Sequence, residues 1–179
     1  VRDRCTGVGV VTTEHVHAYG LSGPVARAAG VDVDLRRDGS YLEYAKLFAP
    51  EGPGKVVVRT EGDAAARLDV LAEQVTVSLD LAVASLDRLA GLAQGPVSVR
   101  LPKVVRVPEG EWYAVTETPL GMAGYYLVST GGPTPWRLKV RTPSFATVAA
   151  LADVLPGTPV SDLVTVIASF PFIMGDVER

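Results

Sequence analysis

The period of the hydrophobic positions changes twice along this chain. From Asp63 to about Leu92, the residues Leu68, Leu71, Val75, Leu79, Leu86 and Leu89 recur mostly at three- and four-residue steps, and Ala82 continues the stripe. That spacing lines one face of a helix. Thr60-Glu61-Gly62-Asp63 supplies its start, and Gly91, Gly95 and Pro96 supply its stop. At about 1.5 Å per residue the helix approaches ~45 Å, long for a domain of this size. A long helix with one strong apolar stripe usually belongs to a bundle, and no second helix of matching length is predicted. The stripe is therefore expected to lie exposed in this chain and to drive homo-oligomer formation through Leu68, Leu71, Val75 and Leu79.

Before the long helix the signals are short. Gly7-Val8-Gly9-Val10-Val11 reads as a short strand or a buried loop. Thr12-Thr13-Glu14 offers an N-cap with acidic support for a helix running to about Tyr19. Leu21-Ser22-Gly23-Pro24 breaks it, and Pro24 sits in the first turn of a second short helix that ends before Gly30. Val31-Asp32-Val33-Asp34-Leu35 alternates as a half-exposed extended segment does. Residues 36–55 contain Gly39, Pro50, Gly52, Pro53 and Gly54 and read as a long loop.

Beyond the long helix the period falls to two. Glu111-Trp112-Tyr113-Ala114-Val115-Thr116, Gly124-Tyr125-Tyr126-Leu127-Val128-Ser129 and Pro135-Trp136-Arg137-Leu138-Lys139-Val140-Arg141 read as three strands. Pro119-Leu120-Gly121 and Thr130-Gly131-Gly132-Pro133 are the turns between them. Helical signals return over residues 145–154 and 160–168, separated by Pro156-Gly157-Thr158-Pro159. The order of helix, antiparallel meander and helices predicts an α+β class. It fits a single domain with a helical part over 1–95, a β-meander over 96–142, and C-terminal helices and a tail over 143–179.

Composition narrows the partners. The 179 residues are 47% hydrophobic and 21% charged, a globular balance. A net charge of −3 without a basic stripe argues against nucleic acid. The one cysteine, Cys5, excludes an internal disulfide or a four-thiolate metal site and suits a reducing cytoplasm. There is no apolar run of about 18 residues to span a bilayer, and no signal peptide is visible. Val1-Arg2-Asp3-Arg4 reads like the middle of a protein, which suggests a fragment or a processed chain.

Candidate chemistry is sparse. Gly7-x-Gly9 lacks the third glycine of a dinucleotide fingerprint. His15 and His17 face different sides of a helix, cannot share a metal, and are expected on its solvated surface. Cys5 has no partner motif and reads as structural or incidental. Asp32 and Asp34 are either an acid pair or, more simply, a solvated edge with Arg36 and Arg37 as counter-charges. Tyr125 and Tyr126 should put one ring in the core and one out. No catalytic triad, metal cluster or P-loop is legible.

The C-terminus carries the most information. Ser169-Phe170-Pro171-Phe172-Ile173-Met174-Gly175-Asp176-Val177-Glu178-Arg179 ends on large apolar residues, a glycine and charges rather than on a polar tail. Such a segment is expected to pack, with the glycine allowing a turn or a close approach and with Asp176, Glu178 and Arg179 holding the end in place.

Six segments, in order, resemble the D subunit of the proton-pumping NADH–quinone oxidoreductase, respiratory complex I. They are Gly7-Val8-Gly9-Val10-Val11; Ala18-Tyr19-Gly20-Leu21-Ser22-Gly23-Pro24; and Arg27-Ala28-Ala29-Gly30-Val31-Asp32-Val33-Asp34-Leu35-Arg36. Gly124-Tyr125-Tyr126-Leu127-Val128-Ser129, Arg137-Leu138-Lys139-Val140-Arg141-Thr142-Pro143-Ser144-Phe145 and Met174-Gly175-Asp176-Val177-Glu178-Arg179 continue the series. The resemblance covers the C-terminal part of that protein, with about half of it missing on the N-terminal side. The balance of few lysines against many Ala, Val and Arg is similar to actinobacterial versions.

The resemblance implies a relation to the large subunit of [NiFe]-hydrogenases without the metal. Where hydrogenases need Cys-x-x-Cys, this chain has Phe170-Pro171-Phe172-Ile173-Met174, so the thiolates that hold Ni and Fe are absent. It also implies a quinone cavity formed against a B subunit that carries the terminal iron–sulfur cluster. Further implied partners are the C subunit and membrane-arm subunits, on the cytoplasmic side of the cell membrane. The family's quinone-facing His and Tyr belong to the missing half, and His15 and His17 do not match them. By motif match this chain offers apolar lining at Val140, Ile173 and Met174, with Gly175, Asp176, Glu178 and Arg179 anchoring the tail. It holds no cofactor of its own, and alone it should be inactive. A structural scaffold without quinone contact is the alternative role, and a metal-dependent hydrogenase-like enzyme is a further rival. Departures from the family are Leu120-Gly121-Met122-Ala123 where an acid is usual, Gly62-Asp63-Ala64-Ala65-Ala66-Arg67 at the helix start, and Pro171 where an acid is frequent.

Overall fold

The long amphipathic run forms helix α5 (Ala64–Ala90) in a computed structural model that describes residues 2–39 and 41–178. One carboxylate starts it. Asp63 Oδ1 accepts the Ala66 N–H at 2.8 Å, and Oδ2 accepts the Gly7 N–H at 2.7 Å, which pins the N-terminal loop to the helix start. Leu68, Val75, Leu79, Leu86 and Leu89 are exposed and Leu71 is half-buried, so the expected exposed stripe is present. The face that α5 buries is a different one. Arg67, Val70, Val77 and Leu81 are buried, with Gln74 and Ala84 half-buried between and beyond them, at alternating three- and four-residue steps.

Helix α1 (Thr13–Tyr19) begins with a capping box: Thr12 Oγ1 accepts the His15 N–H, and His15 Nδ1 accepts the Thr12 N–H, both at 3.2 Å. Helix α2 (Gly23–Ala28) carries Pro24 in its first turn. Residues 7–11 form a loop whose Val11 is buried. Of the extended segment expected at 31–35 only Leu35 is helical, and the loop expected at 36–55 holds two single turns, α3 (Leu35–Asp38) and α4 (Tyr44–Leu47). The reason is local. Asp34, itself in extended backbone, acts as an N-cap whose carboxylate accepts the Arg36 N–H at 3.0 Å, so a turn begins at Leu35.

Helix α2 stands between two apolar clusters. Val25, Ala26 and Ala29 pack with Val16, with Ala150 and Val154 of α6 (Pro143–Val154), and with Val166 of α7 (Val160–Ser169) and Phe170. Ala28 joins Leu47, Val57, Ala66, Val70, Val77 and Leu81. A last turn, α8 (Met174–Val177), ends the described chain.

The three expected strands form one antiparallel sheet, in the order β1 (Glu109–Thr118), β2 (Gly121–Thr130), β3 (Arg137–Arg141). Thr118 pairs with Gly121 across the two-residue turn Pro119-Leu120, and Gly124 pairs with Arg141. That turn docks on the start of α2. There an added Cβ on Gly23, which has φ +63°, would lie 2.4 Å from Gly121 Cα, so glycine is required. Ser22 Oγ accepts the Met122 N–H at 3.0 Å beside this crossing.

A buried ionic cluster joins the layers. Arg27 Nη1 donates to Glu117 Oε1 at 3.0 Å, and Nη2 donates to Gln74 Oε1 at 2.6 Å. Arg27 Nη1 also stands 3.5 Å from Asp34 Oδ2, and Arg36 forks onto Asp34 at 2.9 and 2.6 Å. The side chains of Arg27, Asp34 and Glu117 are 1%, 1% and 3% exposed. Burial pushes the Glu117 carboxyl above its ordinary range, against the opposing pull of Arg27. Glu117 Oε2 also accepts the Leu35 N–H at 3.2 Å, so β1 is tied to α2, α3 and, through Gln74, α5.

Glu117→Ala leaves Arg27 with less than its share of negative charge in a dry site. It is expected to destabilise the chain by about 3–5 kcal/mol. Chemical denaturation measures this, and a change below about 1 kcal/mol would show that solvent relaxes into the cluster. The exposed leucine stripe of α5 is expected to make the 179-residue chain self-associate. Sedimentation equilibrium should detect this, and Val75→Glu with Leu79→Glu should restore the monomer. A wild-type chain that stays monomeric at high concentration would contradict it.

Candidate functional site

Strand β3 runs directly into the segment that holds the C-terminal tail. Val140 is half-buried on β3 and pairs with Tyr125 of β2, which pairs with Ala114 of β1. One step along the same face, Leu138 pairs with Leu127 and Leu127 with Trp112. Trp112, Tyr125 and Leu138 are exposed, so this sheet face is apolar and open. Two residues past Val140, Thr142 Oγ1 donates to the Asp176 carbonyl at 2.7 Å. Ser144 Oγ donates to Asp176 Oδ2 at 3.0 Å and accepts the Ile173 N–H at 3.2 Å. Ser144 is fully buried. The residues expected to line a cavity thus sit on adjacent backbone segments.

Ile173 and Met174 point their side chains outward, at 56% and 61% exposure. Asp176 meets the hydroxyl pair just described. Glu178 is exposed, and its N–H donates to the Met174 carbonyl at 3.3 Å. An added Cβ on Gly175 would meet nothing within 4 Å. Arg179 lies outside the described residues.

Upstream, the tail leaves α7 under a buried cation. Arg67 Nε and Nη2 donate to Ser169 Oγ at 3.1 and 2.8 Å, and Nη1 donates to the Gly62 carbonyl at 2.7 Å. Its guanidinium carbon stands 4.1 Å from the centre of the Phe170 ring. Burial lowers the Arg67 pKa to about 10, which leaves the group charged at neutral pH.

The other sequence candidates do not gather here. Cys5 is buried beside Ala64 and Ala65. His15 is half-buried as part of its capping box, so only His17 lies on the solvated surface expected for both. His17, Ser22, Tyr113, Met122 and Arg141 line a cleft of ≈ 340 Å³ between α1, α2 and the hairpin. Arg141 braces that cleft by donating to the Met122 and Gly20 carbonyls at 2.7 and 2.6 Å. Asp34 does not lie on a solvated edge. It is fully buried with Arg27 and Arg36, because the turn at Leu35 swings it inward. Asp32 stays exposed and pairs with Arg37 at 2.8 Å. Neither Tyr125 nor Tyr126 enters the core: Tyr125 is exposed and Tyr126 half-buried, among exposed neighbours on β1. The Tyr126 hydroxyl donates to the Glu111 carboxylate. Among the described residues no three of His, Cys, Asp and Glu gather in metal-binding geometry, and no helix is long and apolar enough to cross a membrane.

Sequence reasoning missed Arg67, Arg27, Gln74 and Glu117 as buried or bridging groups, and it missed the two hydroxyls of Thr142-Pro143-Ser144. A signal existed for Arg67 and Gln74: they stand at heptad-like steps with Val70, Val77 and Leu81, a position that surface residues do not require.

The family described as respiratory-chain NADH dehydrogenase, 49 Kd subunit, matches residues 1–107 and 97–179. The D 1 subunit of the NADH-quinone oxidoreductase of Streptomyces coelicolor is 56% identical over 178 residues, covering 99% of this chain and 46% of that protein. The corresponding D subunit of Clostridium beijerinckii is 34% identical over 98% of this chain and 45% of its own length. A chain from the structure of the membrane-bound sulfane sulfur reductase, an archaeal respiratory membrane complex, superposes with a TM-score of 0.83 at 33% identity. That match covers 99% of this chain and 47% of the other. The chain therefore spans under half the length of these relatives. With the α+β architecture and the family match covering the whole chain, it belongs to the family of the 49 Kd subunit of respiratory-chain NADH dehydrogenase.

Proposed function

We propose that this chain forms one wall of the quinone-reaction cavity in an NADH–quinone oxidoreductase complex. The observation that carries the reading is the outward presentation of Ile173 and Met174 from a backbone held at Ser144, next to the sheet face that bears Val140. The Streptomyces coelicolor relative, named as part of an NADH-quinone oxidoreductase, supports the context. Apolar, adaptable walls of this kind dominate sites for small hydrophobic molecules.

In this reading the chain supplies shape and excludes water. Val140, Ile173 and Met174 carry no proton to give, and the Asp176 carboxylate is engaged by Ser144. The donor set of the described residues does not fit a metal or cluster. An iron–sulfur cluster in a neighbouring B subunit would supply the electrons, and the quinone is the substrate of the complex. The chain itself holds no cofactor and is inactive alone. It docks with B, C and membrane-arm subunits as a peripheral part on the cytoplasmic side of the membrane. A purely structural scaffold is the second reading. It is favoured by the extent of exposed apolar surface elsewhere, at Trp136 and the α5 stripe.

Substitutions at Val140 and Met174 in the assembled complex separate the two. Removing a buried methylene or two from a hydrophobic pocket is worth about 1–3 kcal/mol, so inhibitor potency should shift by roughly ten- to hundred-fold before the maximal rate changes. Normal assembly with unchanged inhibitor potency would leave the scaffold reading. Deleting residues 176–179 should instead impair assembly, read as loss of the intact complex on native gels. The purified chain is expected to contain no stoichiometric Fe, Ni or Zn by elemental analysis, and any of them at one per chain would overturn the cofactor-free reading.

A further inference from the structure

The tail is gripped at two points, on either side of the residues proposed to meet quinone. The first grip is Arg67, which is fully buried in the first turn of α5. It donates twice to Ser169 Oγ and stacks on Phe170. Ser169 is itself satisfied, because its hydroxyl donates to the Val166 carbonyl at 2.7 Å. The second grip is Ser144, also fully buried, which holds the Ile173 N–H and the Asp176 carboxylate, with Thr142 on the Asp176 carbonyl. Only Pro171 and Phe172 lie between Phe170 and Ile173, the nearest gripped residues. Proline fixes its own φ, and Phe172 packs against the first apolar cluster. Little backbone freedom is left between the two points, yet Ile173 and Met174 are exposed.

Arg67 gives its hydrogen bonds to a neutral hydroxyl and a carbonyl, with the Asp63 carboxylate as its nearby counter-charge, and burying it there is a costly way to start a helix. An apolar side chain of similar volume fills the same space without the desolvation cost. What the guanidinium adds is direction: a planar fork and a stacking face that fix the Ser169 hydroxyl and the Phe170 ring together. We propose that Arg67 and Ser144 are positioning residues that hold the tail backbone rigid, so that Ile173 and Met174 face the cavity in one fixed orientation. The inference rests on the reading of those two residues as cavity wall.

The test has two arms. In the 179-residue chain, Ser144→Ala, Ser169→Ala and Arg67→Lys are compared with wild type by amide hydrogen exchange. Ser144→Ala removes two tail hydrogen bonds and Ser169→Ala removes three, so exchange over residues 170–178 should speed at least about fivefold, with the centre of α5 within about twofold. The two serine variants remain informative if the arginine variant fails to fold. Tail exchange that does not change, or that rises equally in α5, overturns the clamp. In the assembled complex, Ser144→Ala should raise the quinone KM about fivefold with kcat nearly unchanged. If Met174→Ala alters quinone kinetics and Ser144→Ala does not, Ser144 is not a positioning residue for the wall. If neither alters them while tail exchange rises, the clamp stands and the cavity reading falls.

Discussion

Everything in this chain is arranged around one buried arginine. Arg27 has 1% of its side chain exposed and takes partners from three other segments at once: Asp34 before α3, Gln74 on α5 and Glu117 on β1. A charge in a dry interior is tolerated only when its partners are all in place, so the cluster demands that these segments meet in one geometry. Such a cluster is weak as a source of stability and strong as a constraint on arrangement. Its consequences run outward. With Glu117 fixed, the turn after β1 is seated on Gly23, and β2 and β3 follow in register. With β3 fixed, Thr142 and Ser144 stand where they hold the tail.

Helix α5 shows what the chain leaves unsatisfied. Its buried face serves the fold, and its leucine stripe serves nothing among the described residues. The open apolar face of the sheet around Trp112 and Leu138 is in the same position. Exposed apolar surfaces of this extent mark places where a protein meets another surface.

Much of this was legible from the residues. The strands announced themselves by period two and by their Gly and Pro turns, α1 by its N-cap, α2 by its first-turn proline, and α6 and α7 by the Pro156-Gly157-Thr158-Pro159 break between them. The stripe on α5 was legible, and so was the fact that it lacked a partner. What was not legible follows one rule: charged residues look like surface by type. Arg27, Arg67 and Glu117 are core by position, because groups that satisfy them lie 47, 102 and 90 positions away, at Gln74, Ser169 and Arg27. Local pattern carries no information at that range for Arg27 and Glu117, and for Arg67 the only local trace was its helical step with Val70 and Val77. Asp34 was lost through a nearer cause, the turn that swings it toward Arg27. The short turns α3 and α4 have signals too brief to show a period. The tail was legible as an apolar end that packs, whereas the hydroxyls that hold it were visible only once β3 and α6 were joined in space.

The most direct measurement is photoaffinity labelling of the assembled, membrane-bound complex with a quinone analogue that carries its reactive group on the head. Labelled peptides are then mapped on this chain, with excess quinone as competitor. The account predicts competable label on the peptide that contains Ile173 and Met174, accompanied by label at Val140. Label confined to other subunits, or label here that excess quinone does not displace, would contradict it.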